Sequence, residues 1–252
     1  MESELPDHYR VVHSHRPGRF ATVYAAVRRS DHRKVALKWY PDQVGDPERL
    51  RARQEKKILD LVAGPGVPGV LEQVDAATST TLVLERAPGY PLEVWVREAL
   101  PDVPSFLEVA IQTTRILARV HEAHILHCDL TPSNILVDPT TLQVHLIDFA
   151  EARHLGSAMP LRITGPSEVR GMLGLHFVAP EHTGRMDRGV DGRSDLYALG
   201  ATMYEAFVRR RPSDEGDYRA LPPPACSRPT FYPRMSGNQA QTRPSTHPHL
   251  AN

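Results

Sequence analysis

Apolar and polar positions divide residues 9 to about 84 into strand-like runs and one helix. Residues 20–27 (Phe-Ala-Thr-Val-Tyr-Ala-Ala-Val) and 34–40 (Lys-Val-Ala-Leu-Lys-Trp-Tyr) are rich in β-formers. The polar stretch 28–33 between them predicts a turn and hence paired strands. Over 47–62, Leu50, Ile58, Leu59, Leu61 and Val62 recur among charges, the period of an amphipathic helix. Gly64-Pro65-Gly66-Val67-Pro68-Gly69 is a dense turn signal, and Thr81-Leu82-Val83-Leu84 predicts a further strand.

Helical periodicity takes over downstream. Over 105–123, Leu107, Ala110, Ile111, Ile116, Leu117 and Val120 predict a long, mostly buried helix, and 191–207 predicts another. Residues 209–252 are rich in Pro, Arg, Ser and His, with Pro222-Pro223-Pro224 and almost no apolar period. Such a segment cannot bury enough surface to order itself, so disorder or loose coil is expected there. The pattern is that of an α+β chain: strands first, helices after, then a polar tail.

Composition narrows the partners. Lys plus Arg equals Asp plus Glu at 30 each, so net charge points neither to nucleic acid nor to an anionic membrane. No apolar run approaches the roughly 20 residues of a membrane span, and the first residues carry no basic-then-apolar leader. Cys128 and Cys226 offer no disulfide framework and suit a reducing compartment. A soluble, cytoplasmic protein is expected.

The chemistry concentrates at residues 127–134, His-Cys-Asp-Leu-Thr-Pro-Ser-Asn. An acid followed five residues later by an amide places two groups on one loop. Asp129 can take a proton from a hydroxyl, and the Asn134 amide oxygen can ligate a divalent cation. Leu146-Ile147-Asp148-Phe149 supplies a second acid directly after an apolar run. Together these resemble the H-R-D-x-x-x-x-N and D-F-G motifs of protein kinases. Val35-Ala36-Leu37-Lys38 resembles the kinase V-A-I-K strand, and Glu55 in the 47–62 helix resembles the glutamate that holds its lysine. Without those neighbours, Lys38 would read as a snorkelling strand lysine and Glu55 as a solvated charge.

The resemblance covers residues 9 to about 207. It implies a bilobal protein-kinase-like fold, with a small β-rich lobe over 9–84, a hinge at 85–89 and a mainly helical lobe over 90–207. The helical lobe would be incomplete after about residue 207. ATP, Mg²⁺ and a protein substrate follow by the same resemblance. Asp129 and Asn134 become catalytic residues, and Asn134 and Asp148 the metal ligands. Gly18, Val23, Ala36, Lys38, Glu55, Leu84, Glu85, Ala87 and Leu136 become the nucleotide contacts. Downstream signalling modules would be further partners if the chain is a fragment.

Several positions depart from the pattern. Of the three loop glycines only Gly18 remains in 16–23, with Arg16 and Arg19 as alternative charges. Cys128 replaces the arginine that anchors a phosphorylated activation loop, which argues against that switch. Thr131 stands where Ser/Thr kinases carry lysine, and Leu173-Gly174 where they carry Gly-Thr. Ala150 replaces the glycine of D-F-G, which should resist a positive φ at that position.

Ala179-Pro180-Glu181 resembles the A-P-E end of an activation segment, though Glu181 has no obvious arginine partner. Asp195 is expected to cap the 191–207 helix and hold the catalytic-loop backbone. His121, His124 and His127 fall three apart, but a helix end between them argues against a shared metal. The wording of 180–186 is similar to kinase-like domains of large bacterial signalling proteins with ATPase, sensor and histidine-kinase modules. Two alternatives stay open: a weakly active or inactive nucleotide-binding scaffold, and a small-molecule phosphotransferase of the aminoglycoside or choline kinase type.

Overall fold

Strand β3 (Lys34–Pro41) lies at the middle of a five-stranded antiparallel sheet of order β1-β2-β3-β5-β4. Its neighbours are β1 (Tyr9–Ser14), β2 (Thr22–Arg28), β4 (Val70–Asp75) and β5 (Ser79–Glu85). The computed structural model describes residues 5–14, 18, 20–41, 47–157, 177–183 and 189–208. The predicted tail 209–252, Arg16, Arg19, and Leu173-Gly174 in the activation segment lie outside them.

Period-two alternation sorts the sheet into two faces. Val35, Leu37 and Trp39 pack with Leu5, Tyr9, Tyr24 and Val83 on one side. Tyr40 joins Ala21, Ala52 and Leu82 on the other. Val23 pairs with Lys38, and Ala36 pairs with Leu84. Four of the expected nucleotide contacts therefore share the second face.

Helix α1 (Pro47–Val62) lies across that face and buries Ala52, Glu55, Ile58, Leu59 and Val62. Leu50 and Leu61, counted above with its apolar stripe, remain 63% and 57% exposed. The buried stripe keeps the expected Ile58, Leu59 and Val62 and adds Ala52 and Glu55, so it includes a charge that a hydrophobicity pattern cannot select.

The helical part comprises α2 (Leu92–Ala99), α3 (Val103–Glu122) and α4 (Gly192–Val208) among the described residues. Helix α2 was not anticipated. The Asp102 side chain caps α3 by accepting the Ser105 N–H at 2.9 Å. Helix α3 buries Phe106, Val109, Thr113, Ile116, Leu117 and Val120, whereas Leu107 and Ile111 face outward. The expected face was thus offset by about one residue over the first half of the helix, while Ile116, Leu117 and Val120 are buried as expected. At α4 the cap is Asp191, not Asp195: its Oδ1 and its carbonyl accept the N–H groups of Arg193 and Ser194, both at 2.9 Å. Asp195 sits within the first turn and reaches away from the helix.

Short strands carry the loops of the site. Strand β7 (Ile125–Leu126) pairs with β10 (Arg153–His154). Strands β6 (Tyr90–Pro91), β8 (Ile135–Val137) and β9 (Val144–Leu146) form a small sheet. The 64–69 turn joins the sheet to the helices. Leu146 N–H donates to Gly66 O, and Arg119 Nη1 donates to Pro65 O, both at 2.8 Å. A single apolar cluster then runs from Ile58 on α1 through Leu117 on α3 to Ala206 on α4. No helix among the described residues is long and apolar enough to cross a membrane.

Candidate active site

Lys38 reaches the cleft from β3 with only 4% of its side chain exposed. Its Nζ lies 2.7 Å from Glu55 Oε1 and 2.6 Å from Asp148 Oδ1. Burial works against the ammonium charge. The Glu55 and Asp148 carboxylates outweigh it and hold the lysine well above its ordinary pKa. Glu55 Oε1 also accepts the Phe149 N–H at 3.0 Å, so one carboxylate ties α1 both to β3 and to the loop carrying Asp148.

Asp148 occupies the left-handed region at φ 65°, and its side chain is 40% exposed. Partial desolvation works against its charge, but the neighbouring Lys38 prevails and keeps the carboxyl below its ordinary pKa. The positive φ expected to burden Ala150 falls on Asp148 instead; Ala150 is not among the positive-φ residues. An aspartate tolerates this conformation better than most residues, so the alanine in place of glycine carries no strain.

The loop 127–134 is closed by its own asparagine. Asn134 Nδ2 donates to the Asp129 backbone oxygen and to Asp129 Oδ2, both at 2.9 Å. Burial first, then repulsion from Asp148, pushes the Asp129 carboxyl up to about 6, although the Asn134 hydrogen bond pulls the other way. A carboxylate in this state is poised to accept a proton near neutral pH. Ile147 N–H donates to the Asn134 carbonyl at 3.0 Å, which fixes the spacing between the two acid-bearing loops.

Asp195 holds the same loop from behind. Its Oδ2 accepts the His127 N–H and faces His121 Nε2, both at 2.8 Å, and its Oδ1 accepts the Cys128 N–H at 2.9 Å. These bonds stabilise Cys128 at φ 63°, a conformation that costs a non-glycine residue about 1–2 kcal/mol. Desolvation opposes the charge of Asp195, but His121, His127 and the two N–H donors bring its pKa below the ordinary value.

The three histidines have separate tasks. His127 is fully buried, which lowers its pKa, and its ring lies 4.6 Å from that of Phe149. Its Nε2 faces the Ile147 carbonyl at 3.2 Å while Nδ1 accepts the Asp129 N–H, so Nε2 carries the proton. His121 meets Asp195. His124, at φ 57°, donates its N–H to the His121 carbonyl where α3 ends. Burial raises the Cys128 thiol to about 12, so it stays protonated and structural.

Some supporting residues were not anticipated. Thr202 Oγ1 donates to the Leu130 carbonyl at 2.8 Å. It lies seven residues beyond Asp195, two turns along the same face of α4, a spacing that the sequence does carry. Ser194 Oγ donates to Glu181 Oε1 at 2.5 Å, giving that glutamate a partner other than the expected arginine. Thr131 Oγ1 faces Ser133 Oγ at 2.9 Å on the rim of the loop.

The remaining expected contacts lie on β5, on the segment that follows it, on β8 and in the 16–23 segment. Leu84 is half-buried against both α1-side clusters. The Glu85 N–H is taken by the Gly69 carbonyl at 2.9 Å, and its side chain meets Arg33 Nη2 at 3.1 Å. Ala87 lies two residues beyond β5 and is half-buried. Leu136 lies on β8, with Pro91 of β6 and His145 of β9 as its cross-strand neighbours. Gly18 donates its N–H to Ala21 O at 2.8 Å, and a Cβ there would come within 2.9 Å of that oxygen.

A divalent cation fits this donor set. Among the described hydrogen bonds, Asn134 uses only its amide nitrogen and Asp148 only Oδ1. Asn134 Oδ1 and Asp148 Oδ2 remain as hard oxygen donors beside a lysine suited to phosphate.

Comparison with known proteins agrees with this geometry. The protein kinase domain profile matches residues 15–221, and the chain belongs to that family. It is 33% identical over 197 residues to the DNA damage-responsive serine/threonine-protein kinase RqkA of Deinococcus radiodurans, covering 74% of this chain and 28% of that protein. The serine/threonine-protein kinase Pkn1 of Myxococcus xanthus is 29% identical over 249 residues, 90% of this chain and 33% of the relative. PknA of Mycobacterium tuberculosis is 32% identical over 216 residues, 82% of this chain and 48% of the relative. The chain thus spans less than half the length of each.

Proposed function

We propose that residues 9–207 act as an ATP-dependent protein kinase domain that transfers the γ-phosphoryl group to serine or threonine hydroxyls of a protein substrate. The observation that carries this reading is the position of Lys38 between Glu55 and Asp148, next to the Asp129–Asn134 loop. Phosphoryl transfer demands chiefly positioning and charge neutralisation, and these five side chains supply both. Lys38 offers its ammonium to phosphate oxygens. Asp129 orients the acceptor hydroxyl and takes its proton as the new P–O bond forms and the bond from the γ-phosphorus to the β,γ-bridging oxygen breaks, releasing ADP. Mg²⁺, held by Asn134 and Asp148, would neutralise the nucleotide phosphates. Val23, Ala36, Leu84 and Leu136 form the apolar walls for adenine, and the main chain of Glu85 and Ala87 its polar edge.

The wording of 180–186 supports placing this domain in a bacterial signalling protein of several modules, and the cysteine usage suits work in the cytoplasm. The test is transfer of labelled phosphate from ATP with Mg²⁺ to a panel of protein acceptors, followed by phosphoamino-acid analysis. Label on serine or threonine that disappears in Asp129→Asn upholds the reading. Nucleotide binding without transfer would favour a scaffold, and preferential labelling of small alcohols would favour a small-molecule phosphotransferase.

A further inference from the structure

Tyr40 follows Lys38 by two residues on β3 and therefore projects from the same face of the strand. It is fully buried, and its hydroxyl donates to Oε2 of Glu55. Glu55 is itself 1% exposed, so its carboxylate must find every partner within the protein. Oε1 is taken by Lys38 at 2.7 Å and by the Phe149 N–H at 3.0 Å. Oε2 has Tyr40.

Other links between α1 and the segment after Asp148 are longer. Gln54 Nε2 lies 3.3 Å from the Ala152 carbonyl, and Arg51 Nη1 lies 3.7 Å from Glu151. The Glu55 carboxylate is the closest of the joints, and its rotation decides whether Oε1 faces both of its donors. Burial and the adjacent Glu55 carboxylate hold the Tyr40 hydroxyl well above the ordinary tyrosine pKa, so it remains a donor.

We propose that Tyr40 is a positioning residue: its hydroxyl fixes the Glu55 carboxylate, and thereby holds α1 and the Phe149 backbone where Lys38 faces the nucleotide. The part concerning nucleotide rests on the function proposed above; the restraint on Glu55 does not. Tyr40→Phe isolates the hydroxyl, because the ring, 5.6 Å from Lys38 Nζ, is retained.

Two measurements on the full chain test the idea. Amide hydrogen exchange without nucleotide should show protection at Phe149 and along α1 reduced about tenfold in Tyr40→Phe, the scale of one hydrogen bond to a charged group. The Kd for ATP with Mg²⁺ should rise by about the same factor. In a Glu55→Gln background Tyr40→Phe should add little, since the hydroxyl acts only through that carboxylate. Unchanged protection at Phe149, or effects that simply add in the double variant, would overturn the proposal. If the wild-type chain binds no nucleotide, the functional reading fails while the exchange experiment still decides the role of Tyr40.

Discussion

Lys38 Nζ lies 2.6 Å from Asp148 Oδ1 although 110 residues separate them in the chain. The lysine thus balances two carboxylates, one buried on α1 and one facing the cleft. The same contact offsets the repulsion between the Asp148 and Glu55 carboxylates.

Lys38→Met should therefore be more than an activity knockout. It leaves the buried Glu55 without its cation, and removing one partner of a buried pair costs about 3–5 kcal/mol. Urea unfolding should show that loss, together with complete loss of transfer. Asp148→Asn should lose transfer by roughly 10²–10³-fold, the scale of one electrostatic contact to the reacting group, with a much smaller effect on stability.

Asp129 should make the chain less stable as pH rises. Its folded pKa, about 6, lies above the ordinary 3.8, so between these values the folded state holds a proton that the unfolded state has released. Stability then falls from about pH 4 to pH 6 and stays reduced above it, by roughly 3 kcal/mol if the whole difference is expressed. Asp129→Asn should be more stable than wild type at pH 8 and nearly equal at pH 4 in metal-free buffer, while its transfer rate falls about 10²–10⁴-fold. Equal melting differences at both pH values would rule this out.

The opposite sign holds for Asp195. Its folded pKa is lowered, so its contribution is present above the ordinary carboxyl pKa and is lost as pH falls through the folded value. Asp195→Asn replaces one carboxylate oxygen with an NH₂, so one of the His127 and Cys128 backbone N–H donors loses its acceptor. A loss of about 3 kcal/mol is expected in thermal or denaturant unfolding at pH 7, shrinking in acid.

Gly89→Ala tests the close approach of the segment after β5 to β8. Gly89 has φ 108°, and a Cβ there would lie 2.5 Å from the backbone carbonyl of Val137. Backbone cannot yield as a side-chain tip can, so a destabilisation of at least about 2 kcal/mol is expected. A variant as stable as wild type in chemical unfolding would show that Gly89 and β8 do not meet this closely.

Much of this site could be read from residue order alone. Lys38, Glu55, Asp129, Asn134 and Asp148 stand in motifs where residue type and spacing reflect chemistry, because a proton acceptor and a cation ligand must share one short loop. Strands β2, β3 and β5 and helix α1 were legible for a similar reason, since burial on one face imposes a period on the chain, whereas β1 and β4 were not singled out. Periodicity placed the faces of α1 and α3 less well, since Glu55 and Thr113 are buried polar residues that interrupt the apolar count.

Local order could not reveal what depends on partners distant in the chain. Whether Asp195 caps its own helix or clamps the loop 67 residues before it is decided by where α4 docks. Whether Ala150 strains its loop is decided by which neighbour takes the positive φ, and packing assigns that to Asp148. Tyr40 reads as another aromatic strand residue until α1 lies across the sheet and brings a carboxylate to its hydroxyl. The sequence by itself determined which groups could do the chemistry, because their types and spacings are local. Only the tertiary structure decided their charge states, their orientation and their supports, because burial and opposing charges arise from contacts between distant segments.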